Sequence, residues 1–421
     1  MRDRIFRLIS SEWFIAAAAL VLRMSYFVYM AHRIPASVLA DVPFQNEVGN
    51  LASALAEGKG FCCLFRQATG PTAWLAPIYP LIVAGTFKVF GAFTLESFYA
   101  VVSLNCIFSS LTVIPLFHAG KRIAGLSTSA VAAWIWVIFP SAVILPFQWI
   151  WDTSLSALLG AALLWITLAL RDGSRVRDSA LYGLLWGIAL LTNPALGALL
   201  PFLLGWMVYE HRGHPVRARM GFLVLGVAFL VCLPWTARNY FEFHRFIPLR
   251  SNFPYELWSG NNDIFDPHSR GVNRITRFEQ VHLYAELGET RFLHDKLQKS
   301  LEFIGAHPRL YAQLVGGRIV ATWLGTASPW QGFAESDSCL VRLVLVWNAF
   351  ALVGVIVGLR LILTRQRRYF VPVACFPVIF PLTFYIAHSS LRHRHPCDPV
   401  VALLMAVVIM AMVKTKPFEI V

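Results

Sequence analysis

The chain has 421 residues, of which 57% are hydrophobic and 14% charged, with a formal net charge of +13 and a mean hydropathy of +0.60. A soluble helix needs a polar face for water and these long apolar runs leave none, so the expected class is an all-α polytopic membrane protein. The basic residues sit in short clusters between apolar runs, not as a stripe on a soluble surface, which argues against a nucleic-acid partner and for cytoplasmic loops.

The opening stretch "MRDRIFRLISSEWFIAAAALVLRMSYFVYM" starts basic, but its apolar part is too long for a cleaved signal, so it is expected to remain as the first helix, about 13–32. Further spans are expected at about 97–118, 126–146, 153–170, 179–193, 195–209, 220–235, 340–363, 370–387 and 399–413, ten in all. The fifth and sixth are short and parted only by "TNP" at 192–194, which allows a tight or partly re-entrant hairpin. Residues 72–92 are apolar but hold Pro77, Pro80 and Lys88. If that piece does not span, the clusters Arg2/Arg4/Arg7, Lys121/Arg122, Arg171/Arg175/Arg177, Arg212/Arg217/Arg219, Arg365/Arg367/Arg368 and Lys414/Lys416 all fall inside; if it spans, the later ones flip outward. A juxtamembrane or re-entrant helix is therefore expected there. Both termini are then cytoplasmic in a multi-pass protein of the cell membrane.

The same parity gathers the polar segments 33–96, 147–153, 236–339 and 388–399 on the outer face. Three regions follow: an N-terminal transmembrane module (1–235) carrying the first outer loop (33–96), an outer region with amphipathic helices (236–339), and C-terminal transmembrane helices (340–421). Within 236–339, apolar residues recur at helical spacing over 280–308, and 309–325 resembles an interfacial amphipathic helix. The seven cysteines are odd in number and lack metal-ligand spacing; Cys62 and Cys63 are taken as small loop residues. No cofactor is indicated, and no metal, although a divalent ion is compatible with the chemistry.

Charged residues on the outer side are the candidates for chemistry. In "EVGNLASALAEG" a short helix places Glu47 near the membrane boundary, with Gly58 as its stop and Lys59 beyond. Asp152 in "WIWDTSLSALL" opens the fourth helix, where a carboxylate is also favoured by the helix dipole. Arg238 leaves the seventh helix at the same boundary, and "LRHRHP" brings Arg392, His393, Arg394 and His395 there. Acids facing forked cations at the outer leaflet suit transfer from a lipid phosphate: Arg matches phosphate oxygens in pairs, and the acceptor needs a carboxylate base. Phosphate is a weakly basic leaving group, so no second carboxyl acid is required. Arg23, midway along the first helix, faces a cavity, a lipid or a partner.

The segments "ALAEGKGF", "GPTAWLAPIYPLIVAGTFKVFG", "PFQWIWDTSLSALL", "LLWGIALLTNPALGALLPF", "PWTARNYFEFHRFIPLRSNFPYELWSGNN" and "RHRHPCDP", in that order, resemble the GT-C membrane glycosyltransferases. The likeness is to the family 39 group, which includes protein O-mannosyltransferases and lipid A aminoarabinose transferases. It implies a GT-C-like fold and an inverting glycosyltransferase, hexosyl or pentosyl, using a polyprenyl-phosphate sugar donor and an acceptor glycan, lipid or protein at the outer face. It points to Glu47 as base, Asp41 second and Asp152 as accessory acid, with Arg238, Arg392, Arg394, His395 and, more weakly, Lys59 around the lipid phosphate. The sequence departs from the family pattern at "FQNE" in the first loop and at His393, where Tyr is more usual. A lipid or sugar transporter or flippase is the alternative; it calls for ionisable residues at midplane, which apart from Arg23 are scarce. A polymerase or ligase of outer-face polysaccharides shares the donor and differs in acceptor.

Overall fold

The computed structural model describes residues 9–65, 67, 69–171, 175–213, 215–262, 278–325 and 338–413. The clusters Arg2/Arg4/Arg7 and Lys414/Lys416 lie outside the described residues. The helices are α1 (Glu12–Ala31), α2 (Ala36–Asp41), α3 (Glu47–Ala56), α4 (Ile78–Phe90), α5 (Leu95–Leu111), α6 (Val113–Val137), α7 (Pro140–Gln148), α8 (Thr153–Leu170), α9 (Val176–Thr192), α10 (Leu200–Glu210), α11 (Pro215–Phe243), α12 (Phe253–Gly260), α13 (Phe278–Ala306), α14 (Pro308–Leu324), α15 (Ser338–Arg365), α16 (Phe370–Val378), α17 (Leu382–Ile386), α18 (Leu391–Arg394) and α19 (Asp398–Val413).

Among the described residues, seven helical segments are long and apolar enough to cross a membrane: Glu12–Ala31, Leu95–Gln148, Thr153–Leu170, Arg219–Phe243, Arg342–Arg365, Arg367–Ile386 and Leu391–Val413. The 54-residue segment Leu95–Gln148 takes in two of the ten expected spans. They part at Gly125, whose φ of 82° interrupts α6 and is strained for any residue with a Cβ. The expected fifth and sixth spans fall on the shorter pieces α9, 17 residues long, and Pro194–Glu210. They meet at a capped turn, where Asn193 Oδ1 accepts from the Ala195 N–H at 3.1 Å and Asn193 Nδ2 donates to Ser156 at 3.2 Å. Helix α4, over the ambiguous 72–92 stretch, has 13 residues, short of the roughly 20 a crossing needs.

Packing follows the small residues. A Cβ on Gly183 would stand 2.7 Å from the Val224 carbonyl oxygen, and one on Gly187 would stand 2.5 Å from the Val231 side chain. This small-x-x-x-small pair lets α9 and α11 approach backbone to backbone, the geometry membrane helices use in place of hydrophobic driving force. It also fixes α11, whose C-terminal end carries Arg238. Helix α19 lies against α6 and α15. One buried apolar cluster runs from Ile15 to Val407, so the C-terminal helices close the N-terminal module.

Arg23 is fully buried in α1, and its donors are committed to backbone and a hydroxyl. Nε donates to Ser109 at 2.8 Å, Nη2 to the Trp136 carbonyl at 3.1 Å, and Nη1 to the Ala19 and Val137 carbonyls at 3.0 and 3.4 Å. The reason lies four residues on from Trp136: Pro140 has no N–H, so the helical partner of the Trp136 carbonyl is missing. The intramembrane cation thus closes a proline-broken helix end. Replacing Arg23 by Leu removes its bonds to both carbonyls, leaving Trp136 only the 3.3 Å bond from the Phe139 N–H, and is expected to destabilise the protein by about 1–3 kcal/mol. Thermal unfolding in detergent measures this, and an unchanged midpoint would refute the capping role.

Candidate active site

Three segments far apart in sequence meet at one end of the bundle: 149–156, 250–259 and 388–393. The first descends from α7, passes Trp149 and Trp151, and enters α8 at Asp152. Asp152 occupies the N-cap position but makes no capping bond to the backbone; its carboxylate accepts from Ser156 Oγ at 2.9 Å instead. It is 9% exposed. Burial pushes its pKa up, opposed by the Ser156 hydrogen bond and by the fields of Arg250 and Arg392.

Arg392 comes from α18. Its guanidinium lies over the rings of Trp149 and Trp151, 4.7 and 5.0 Å from their centroids, so the two tryptophans before Asp152 orient the cation beside it. Arg392 Nη2 is 3.4 Å from His393 Nε2, and the His393 ring stacks on Phe384 at 4.7 Å. His388 meets the edge of His393 at 4.9 Å, and its Nδ1 is 3.3 Å from a Glu256 oxygen. The other Glu256 oxygen accepts from Asn252 Nδ2 at 2.8 Å. Burial lowers the His388 pKa, with Glu256 opposing and Arg392 and Arg318 adding to the shift.

Arg250 is held by its neighbour in the chain. Ser251 donates its N–H to the Ala73 carbonyl at 2.9 Å and its hydroxyl to Glu289 at 2.7 Å. Buried Glu289 also accepts from the Ala73 N–H at 2.9 Å, from the Tyr284 hydroxyl at 2.7 Å and from Thr72 Oγ1. One carboxylate on α13 thus ties the loop at Thr72 and Ala73 to the turn that presents Arg250. Among the described residues Arg250 makes no hydrogen bond or ion pair, and its charge faces Asp152 and His393. Several buried polar atoms in the three segments lack a partner in the protein: Thr153 Oγ1, Ser154 Oγ, His393 Nδ1 and Asn252 Oδ1. Such atoms are rare in folded proteins and mark a place for a polar ligand.

The residues expected from sequence divide into two groups. Asp152 and Arg392 come together as described. Glu47 is half-buried in the first turn of α3, after Asn46, which caps the helix by accepting from the Gly49 N–H at 3.0 Å. Helix α3 packs on α4. The α4 residue Tyr79 is buried beside Asp152, which contributes to raising its pKa after burial itself. Asp41, half-buried at the end of α2, accepts from Gln45 Nε2 at 2.6 Å.

Four of the expected phosphate ligands have other tasks. Arg238 donates to the Thr72 and Phe61 carbonyls at 2.8 and 2.9 Å, pinning the first-loop hairpin to α11. Lys59 is exposed and pairs with Glu57 at 2.5 Å. Arg394 is 1% exposed: Nε donates to Asp398 at 2.8 Å, Nη1 to the Thr322 and Trp323 carbonyls at 3.2 and 3.1 Å, and Nη2 to Asn348 at 3.0 Å. His395 is also buried, 3.2 Å from Asp398 and stacked on Trp136 at 5.4 Å. The expectation that "RHRH" presents its cations together is corrected by helical geometry. At about 100° per residue Arg392 and Arg394 face opposite ways, one to the tryptophans and one into the bundle.

Sequence reasoning missed Arg250, Glu256, His388 and Glu289. Arg250 was within reach of the argument used for Arg238 and Arg392, being a basic residue in a segment expected on the outer face. Glu256 and His388 lie some 130 positions apart, and no spacing relates them. Among the described residues no group of three His, Cys, Asp or Glu side chains comes together at metal-binding distance.

The two arginines of α18 separate in experiment. Arg394→Ala takes the guanidinium from buried Asp398, leaving it only Ser141 and His395, frees the Thr322 and Trp323 carbonyls, and is expected to cost about 3–5 kcal/mol of stability, whereas Arg392→Ala, at a half-buried residue whose guanidinium lies on two rings, is expected to cost about 1–2 kcal/mol. Equal midpoints for both variants would overturn this division. His388, faced by Glu256, His393, Arg392 and Arg318, is held below its ordinary value of 6.5. Its contribution to stability is present above that value and falls away as pH drops below it, because the unfolded chain then binds the proton the folded one refuses. His388→Gln is expected to flatten the stability profile between about pH 7 and 5. Retention of the wild-type slope would refute the assignment.

The comparisons with known proteins agree with this architecture. Residues 75–237 match the family model described as dolichyl-phosphate-mannose-protein mannosyltransferase. No curated protein matches the chain in sequence. Among solved structures, the apo oligosaccharyltransferase of Archaeoglobus fulgidus superposes with a TM-score of 0.53 at 13% identity, over 95% of this chain and 50% of that one. The oligosaccharyltransferase AglB of the same organism, in complex with an inhibitory peptide and a dolichol-phosphate, gives 0.47 at 14% identity, over 93% and 50%. The chain thus spans about half the length of the structures it matches. The family model over α4 to α11 and the fold over nearly the whole chain bear out the resemblance to GT-C membrane glycosyltransferases expected from the sequence.

Proposed function

We propose that the protein is a GT-C-type glycosyltransferase that moves a sugar from a polyprenyl-phosphate donor to an acceptor at the outer face of the membrane. The observation that carries this is the buried carboxylate of Asp152, within the fields of Arg250 and Arg392 and next in sequence to two buried hydroxyls with no protein partner. The family match and the dolichol-phosphate named for the AglB complex favour a phosphate-linked polyprenol as donor.

In this mechanism Arg392 and Arg250 hold the lipid phosphate and neutralise the charge that develops as the bond from the anomeric carbon to the phosphate oxygen breaks. Glu47 takes the proton of the acceptor, with Asp41 as second choice, and Asp152 is the accessory acid beside the sugar. The acceptor attacks from the side opposite the phosphate, so the anomeric centre inverts. Arg238, Arg394 and His395 hold the walls in place, and the outer segments α12 to α14 border the acceptor side. The outer orientation rests on the basic clusters between spans and on the shortness of α4. The committed donors of Arg23 remove the midplane cation that a transporter would need.

Purified protein is expected to transfer sugar from a labelled polyprenyl-phosphate sugar, with Glu47→Gln lowering kcat by about 10²–10⁴-fold. Arg392→Ala or Arg250→Ala is expected to weaken donor binding by about 10–100-fold, as loss of a charged hydrogen bond implies. Wild-type turnover in Glu47→Gln rejects the base; unchanged donor affinity in both arginine variants rejects the clamp. A cysteine placed at Lys121 is expected to react from the cytoplasmic side only, and labelling from outside would reverse the orientation.

A further inference from the structure

The first turn of α8 is polar in a way that its structural duties do not require. Thr153 and Ser154 are 5% and 0% exposed, and neither hydroxyl has a hydrogen-bond partner in the protein. The neighbouring hydroxyls behave differently: Ser156 donates to Asp152 and accepts from Asn193, and Thr167 donates to the Leu163 carbonyl at 2.6 Å. A buried hydroxyl without a partner costs about 1–3 kcal/mol, and valine or alanine would remove that cost. The helix is 18 residues long, and its N-cap residue leaves the first-turn N–H groups without a side-chain cap. Uncapped donors, two unpartnered hydroxyls and a carboxylate therefore share one helix end, directly after the two tryptophans that carry the Arg392 guanidinium.

We propose that Thr153 and Ser154, together with Asp152, form the subsite for the donor's sugar ring. Phosphate alone does not explain this set. A carboxylate beside a phosphate repels it, whereas sugar hydroxyls donate to a carboxylate and both donate to and accept from hydroxyls and N–H groups. Arg392 and Arg250 are the phosphate's partners, and the ring attached to that phosphate occupies the helix end next to them. The subsite thus recognises a ring with adjacent free hydroxyls and sets the sugar preference of the enzyme. This rests on the glycosyltransferase reading of the site.

The test measures binding of two probes to the full-length protein in detergent: bare polyprenyl phosphate, and polyprenyl phosphate bearing a hexose or a pentose, as a panel. Wild type is expected to bind at least one sugar-bearing lipid more tightly than the bare one. Thr153→Val and Ser154→Ala are expected to abolish most of that difference, about tenfold, while leaving the affinity for bare polyprenyl phosphate and the unfolding midpoint unchanged or the midpoint slightly raised. Arg392→Ala weakens both probes. If the hydroxyl variants keep the wild-type preference, or lose both probes equally, the sugar subsite is wrong and the glycosyltransferase reading stands. A lower midpoint in both variants would assign the hydroxyls to the fold and also overturn it. If wild type binds no polyprenyl phosphate at all, the functional reading itself fails.

Discussion

Several helix and loop ends in this bundle present backbone carbonyl groups in the interior, and arginine side chains satisfy them. Arg23 closes the end of α6 at Trp136 and Val137, and Arg394 closes the end of α14 at Thr322 and Trp323. Arg318 reaches the Tyr385 and Ile386 carbonyls at the end of α17 and the Gly260 carbonyl at the end of α12. Arg238 does the same for the hairpin carbonyls of Phe61 and Thr72. Each cation stands where a helix or loop presents the negative end of its peptide dipoles, and its fork spans two acceptors at once. In a low-dielectric interior an unpaired carbonyl is costly, so these contacts decide where helices can break.

The breaks, in turn, make the site possible. An unbroken helix across 367–413 would not expose the segment 388–393, and a continuous α11–α13 would not turn at Arg250 and Ser251. The arginine clips let the chain leave helical geometry near the membrane boundary without exposing backbone to lipid. Arg392 and Arg250 differ from the four clips: one lies across two tryptophan faces, the other makes no hydrogen bond or ion pair among the described residues, and both turn their charge toward Asp152. The arginines therefore occupy two kinds of place, four on backbone carbonyls and two turned toward Asp152, that composition cannot separate.

The fold over nearly the whole chain is shared with an oligosaccharyltransferase twice its length, at 13% identity. Fold persists at such identity because it depends on apolar spans, close-packed small residues and satisfied helix ends, all of which many sequences supply. Other contacts are specific to single side chains: Glu289 ties the first loop, the Ser251 turn and α13 through one carboxylate, and its partners in the first loop lie more than two hundred residues away.

The sequence by itself determined the membrane class, the approximate spans, the short helix after Asn46 with its stop at Gly58, and the helices of the 280–325 region. All of these follow from local hydropathy, period and capping. It also singled out Asp152 and Arg392, because charge at an outer boundary is conspicuous against apolar runs. Only the tertiary structure decided which cations are committed to backbone carbonyls and which turn toward Asp152. Arg392 and Arg394 have the same side chain two positions apart, and the turn of one short helix sends the first toward Asp152 and the second toward Asp398 and two carbonyls. The partnership of Glu256 with His388, and the placing of Arg250 by Glu289, likewise come from packing between distant segments, which no local pattern encodes.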